Sequence, residues 1–280
     1  MDALLEPFRY EFFRNALAVA GIAGALCGMV GVFVVLRGMS YIGHGLSHAI
    51  FGGAVASFVA KINFYAGAGL WGLVSALMIH RVARRRTIGA DAAIGVVTTA
   101  SFAVGIALIS RQRSFTRNFE AALFGNVLGV TPQDIVAVGV VALFSAGLIF
   151  VRYRALLYAT FDPDVAEISG LKTGVLDAVL ALILAASILA TMQVLGVTLI
   201  VAALVVPAVI ARMLTDRFAR MIQLSTLIGA TMGFFGVYLS YYLDIASGPA
   251  VVLFGSAGFA LVFIVTGARR LRWAPSEPGL

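Results

Sequence analysis

"NALAVAGIAGALCGMVGVFVVL", residues 15–36, runs its whole length without one charged side chain. A helix rises 1.5 Å per residue, so a stretch this long covers the roughly 30 Å hydrocarbon core of a bilayer. Its glycines, Gly21, Gly24, Gly28 and Gly31, fall three and four apart. That spacing puts small residues on shared faces, where a second helix backbone can come close. Comparable runs recur at about 46–61, 64–80, 92–110, 133–151, 175–194, 197–211, 222–243 and 249–267. The 280-residue chain is 61% hydrophobic and only 12% charged, with a mean hydropathy of +1.01. Soluble domains carry about twice that share of charge. The expected fold is an all-α polytopic membrane protein, a bundle of about eight or nine transmembrane helices. The runs lack strand-type alternation and are too long for barrel strands, which excludes a β-barrel.

Charge orients the bundle. With the C-terminus inside, fourteen of the twenty Lys and Arg lie on the cytoplasmic side, among them Arg37, Arg81, Arg152, Arg212 and Arg269. Positive loops stay in the cytoplasm, so the C-terminus is placed there. The net charge of +7 is thereby accounted for without a nucleic-acid partner. One membrane domain spans 1–280, with an interfacial lead-in at 1–14 and a cytoplasmic tail at 268–280. Two places leave the topology open. The segment 46–61 is short and Gly-rich, and a break there would give eight spans and move the N-terminus across. "AALFGNVLGV", 121–130, can dip back into the membrane. The single cysteine, Cys27, rules out a disulfide framework or a cysteine metal cluster, and reads as a small buried hydrophobe.

The inside loop 152–174 contains "FDPDVAEISG", which is fully punctuated as a helix. Asp162 is an N-cap, Pro163 suits the first helical position, and Asp164 sits where the helix dipole favours an anion. Gly170 supplies a left-handed stop. Two turns are too short to be stable alone in water. The acidic face, with Glu167, speaks against a membrane-surface helix and for a docking element that meets a cytoplasmic partner. The chain has no phosphate-binding loop of its own, so any ATP-driven activity draws on a separate motor.

"SYIGHGLSHAIFGG", 40–53, carries His44 and His48 one helical turn apart on one face. Neutral imidazole is a good ligand for Zn, Mn or Fe. Gly45 stands where a zinc protease helix needs Glu, so this is not such an enzyme. Ser40 and Ser47 are nearby donors that could orient the rings. The residues alone leave two further readings open: interhelical hydrogen bonding, or a half-exposed pair at a membrane edge.

Six blocks in order carry a family resemblance: "LCGMVGVFVVLRGMSYIGHGLSHAIFGG", "GADAAIGVVTTASFAVGIALIS", "LFGNVLGVTPQDI", "ATFDPDVAEISGL", "LGVTLIVAALVVPAVIARML" and "LDIASGPAVVL". Over nearly its full length the chain resembles the permease subunits of bacterial ABC importers for manganese, zinc or iron ions. The resemblance implies a type II ABC importer-like permease of the bacterial plasma (inner) membrane, with no catalytic residue and no permanently bound cofactor. It implies a second permease, either an identical copy in a homodimer or a paired one, with cytoplasmic ATPase subunits that bind ATP and an extracytoplasmic metal-binding lipoprotein. Residues 162–170 then form the coupling helix, with Asp162, Pro163, Asp164, Glu167 and Gly170 as its cap and contact residues. His48 matches the family's pathway ligand. His44 stands where Asp is usual, and two imidazoles lean toward Zn(II) or Fe(II) over hard Mn(II).

Asp91 reads first as a helix cap and second as a pathway residue. Glu120 and Asn126 flank the possible re-entrant stretch and are candidates to receive metal there. His80 reads as interfacial, Pro207 as a kink, and Met192 with Gln193 as packing near a break between spans. A proton-coupled secondary metal transporter is the rival reading, but it calls for several mid-span carboxylates that this chain lacks. A permease for metal chelates is the other, and it would not need the histidines.

Overall fold

The computed structural model describes residues 5–83, 90–111, 125–197 and 199–272, which hold eleven α-helices and no strand. They are α1 Glu11–Leu36, α2 Ser40–Val59, α3 Phe64–Ala83, α4 Ala90–Arg111, α5 Pro132–Val151, α6 Tyr153–Phe161, α7 Pro163–Ile168, α8 Thr173–Leu195, α9 Ile200–Leu214, α10 Phe218–Leu243 and α11 Ser247–Arg272. Short 3-10 turns occupy Glu6–Arg9 and Val127–Gly129. Nine long helices among the described residues thus occupy the nine apolar segments. By length and composition five can cross a membrane: Glu11–Leu36, Pro132–Val151, Thr173–Met192, Phe218–Leu243 and Ser247–Thr266.

α1 begins at Glu11, so the expected lead-in is partly helix, and Phe13 is fully buried against Phe8 and Tyr241. The Gly-rich second segment is not broken. α2 is one helix from Ser40 to Val59 and starts well ahead of the apolar run.

Glycine sets the helix packing. α1 and α10 run antiparallel, and a Cβ at Gly24, Gly28, Gly229 or Gly233 would collide with backbone of the facing helix. Ser225 Oγ donates to the Gly28 carbonyl across the same seam. α2 lies parallel to α4, with Gly45 against Ile94 and Thr98, and Gly52 against Ser101. It is antiparallel to α3, where Gly53 meets Trp71 and Gly72 meets Ile50. With no water to expel between helices in lipid, such close van der Waals approach is what holds a bundle together. α1 is the most buried of the five long apolar spans and forms its centre. Cys27 is buried there beside Thr191, and Met192 packs in the core.

α8 ends at Gly196, whose φ of +79° suits a residue without a Cβ. Close by, Gly125 packs on the Val194 carbonyl, and the buried Val127 joins the core. Of the described part of the 121–130 segment, Val127 alone is buried, while Asn126, Leu128 and Gly129 stay exposed. Pro207 lies buried within α9.

Candidate functional site

α2 is clamped by α3, α4 and α9 through its glycines, and this fixes the rotation of the helix about its axis. His44 and His48 leave from the same face, with ring centroids 4.5 Å apart and planes at 81°. His48 is half-buried, while His44 is exposed on the chain's surface. Phe102 of α4 packs edge-on against the His48 ring at 4.8 Å. The buried Nδ1 of His48 has no hydrogen-bond partner. A buried polar atom left unpaired is costly, and in natural proteins it calls for a functional or missing partner.

Ser47 does not orient a ring. Its hydroxyl faces the His44 carbonyl at 2.8 Å and the Val197 carbonyl at 3.1 Å. It ties α2 to the turn between α8 and α9, where the backbone is unwound. Such unwound stretches inside a bundle are tolerated only where protein or a cavity satisfies them. The side chain of Ser40 lies outside the described atoms, as do those of Asp91, His80 and Gln193. Asp91 stands second in α4. Glu120 lies outside the described residues. Asn126 is exposed, and its side-chain oxygen accepts from the Gly129 N–H at 3.1 Å, which makes it the cap of the 3-10 turn. Among the described residues no three of His, Cys, Asp and Glu gather as a metal cluster. His44 and His48 stand as a pair, with no third such side chain beside them among the described residues.

The other feature is α7. Asp162 Oδ1 accepts from the Val165 N–H at 3.0 Å, and Pro163 opens the helix. At the far end the Leu171 N–H bonds Ala166 O and the Gly170 N–H bonds Glu167 O, each at 3.0 Å, with Gly170 at φ +83°. These two bonds form a Schellman stop. Only Ala166 of this helix is buried. Asp164 and Glu167 are exposed beside Val165 and Ile168, the latter 88% exposed. Phe161, just ahead, is 59% exposed. A capped helix displays apolar and acidic side chains together.

A third cluster went unread in the sequence. Arg37, at the end of α1, bonds Asp177 Oδ1 of α8 through Nη1 at 2.6 Å, and donates from Nε to Thr160 Oγ1 of α6 at 3.2 Å. Its side chain is 11% exposed. The available signal was Asp177, a carboxylate within the apolar run 175–194.

Known proteins show the same arrangement of segments. A family model described as the ABC 3 transport family matches residues 9–266. The chain is 37% identical over 262 residues to the manganese transport system membrane protein MntC of Halalkalibacterium halodurans, covering 94% of this chain and 89% of the relative. It is 32% identical over 263 residues to the chelated iron transport system membrane protein YfeC of Yersinia pestis, with coverage of 94% and 89%. Among solved structures it resembles a chain of PsaBC from Streptococcus pneumoniae in complex with Fab. The identity there is 33%, the TM-score 0.85, and the cover 94% of this chain and 95% of that one.

Proposed function

The chain belongs to the ABC 3 transport family, and from that premise we propose how it passes its cargo. It is the membrane-spanning, non-catalytic permease subunit of an ATP-driven metal-ion importer of the bacterial inner membrane. Such a permease works with a separate ATPase and a substrate-binding partner. The proposal is that a divalent transition-metal ion is handed through at His44 and His48, and that α7 is the element on which the ATPase seats.

The unpaired Nδ1 of His48, one turn from a second imidazole, carries the first part. A cation passing the pair would satisfy it. Two protein ligands plus water bind weakly enough to let go, as conduction requires. His44 is exposed, which suits a second copy of the chain facing it, so that a homodimer would present four imidazoles around one axis. Relatives carry the names of manganese and chelated-iron systems. Two imidazoles in place of a carboxylate and an imidazole favour Zn(II) or Fe(II) over Mn(II). A permease for intact chelates would leave the His48 nitrogen without a role.

The test is ATP-dependent uptake of Zn(II), Mn(II) and Fe(II) into liposomes holding the permease, its ATPase and its binding protein. His48→Ala should abolish uptake in a complex that still assembles, and His44→Asp should shift preference toward Mn(II). Wild-type uptake by both variants would remove the pair from the pathway.

A further inference from the structure

We infer that Arg37 is a positioning residue that carries the movement of α7 to the histidine helix α2. The inference rests on the reading of α7 as the ATPase seat.

The path is short and contiguous. Thr160 is the penultimate residue of α6, and only Asp162 separates α6 from α7. Thr160 is held by Arg37 Nε, and Arg37 Nη1 is held by Asp177 near the start of α8. From Arg37 the chain turns directly into α2. That turn is not a loose loop: the Met39 N–H bonds Val34 O at 2.9 Å and the Gly38 N–H bonds Val35 O at 3.2 Å, with Gly38 at φ +65°. This Schellman closure fixes the end of α1 and delivers the chain to Ser40, the first residue of α2. His44 follows one turn later. A displacement of Thr160 therefore reaches α2 through one side chain and a rigid turn.

Two further observations point to a moving part rather than a brace. The ion pair is weak evidence for stability, because Asp177 is 32% exposed and solvent screens the attraction. Here the pair is also incomplete: Nη2 of Arg37 is buried and has no partner. A brace built for strength would satisfy all of the guanidinium donors. Arg37, Thr160, Asp177 and Pro163 moreover line one cavity of about 440 Å³. Pro163 is the first residue of α7, so the docking helix borders free space beside the ion pair. Coupling between sites needs an element with two arrangements. The spare donor and the adjoining space provide for a second one.

The experiment uses the whole importer in proteoliposomes and reads the number of ATP molecules hydrolysed per metal ion imported. The variants are Arg37→Met, Arg37→Lys and Thr160→Val. Arg37→Met should keep the ATPase bound and hydrolysing while the ratio rises about tenfold, in the range of typical coupling energies. Arg37→Lys, which keeps the charge, should recover part of the coupling. A wild-type ratio in Arg37→Met overturns the inference. If Arg37→Met fails to assemble, Thr160→Val decides: a raised ratio supports the link, and an unchanged one overturns it. Ile168→Glu separately tests the seat on α7. If that variant holds the ATPase as tightly as wild type, the reading of α7 fails, and the inference with it. If it loses the ATPase while the Arg37→Met ratio stays normal, only the inference fails.

Discussion

Gly24 of α1 and Gly229 of α10 meet backbone to backbone, each placed where a Cβ on it would strike the other's carbonyl. The two residues are 205 positions apart in the chain, and their contact sets how closely the central helix and α10 pack.

Any side chain at this crossing must push the helices apart. Gly229→Val should destabilise the protein by about 1–3 kcal/mol, the usual cost of overpacking. The loss is read as a lower midpoint of thermal unfolding in detergent. Gly139→Ala in α5, where a new Cβ meets nothing within 4 Å, should leave the midpoint unchanged or raise it slightly.

Ser47 holds α2 against the unwound turn after α8. Ser47→Ala should cost about 0.6–1.7 kcal/mol, the range for polar contacts between membrane helices. Uptake should fall in part, with metal preference kept, because both imidazoles stay in place. A change of preference in this variant would make Ser47 part of the ligand set instead.

The cap of α7 can be separated from its surface. Asp162→Ala removes the bond to the Val165 N–H and should cost about 1 kcal/mol of local order. Pull-down of the ATPase by the purified permease should weaken accordingly. Ile168→Glu, on a side chain 88% exposed, should leave the permease's unfolding midpoint unchanged and abolish the pull-down.

Chelator treatment tests whether metal is cargo or scaffold. The core is built from apolar side chains and close helix contacts, and no three-ligand cluster occurs among the described residues. Stripping metal with EDTA should therefore leave the unfolding midpoint where it was. A large drop would mean that the ion is structural.

Much of the site could be read from single segments because its signals are local. The α7 helix was legible in full: Asp162, Pro163 and Gly170 act on their own neighbours through caps and φ angles, whatever the rest of the chain does. The spacing of His44 and His48 fixed their common face as soon as the segment was known to be helical. The start of α2 was less legible, since Gly43 and Gly45 weaken a helix on their own, and only contact with α4 and α9 favours them there.

The sequence by itself determined an all-helical membrane bundle, its nine segments, the short capped helix α7 and the shared face of its histidine pair, because hydropathy, charge bias and caps are written within a few turns of chain. The tertiary structure alone decided which glycines face which helix, that the Ser47 hydroxyl sits between the His44 and Val197 carbonyls, and that Arg37 meets Asp177 and Thr160 across 140 and 123 positions. Those partners are chosen by packing between segments far apart in sequence, and no local pattern records the geometry of that meeting.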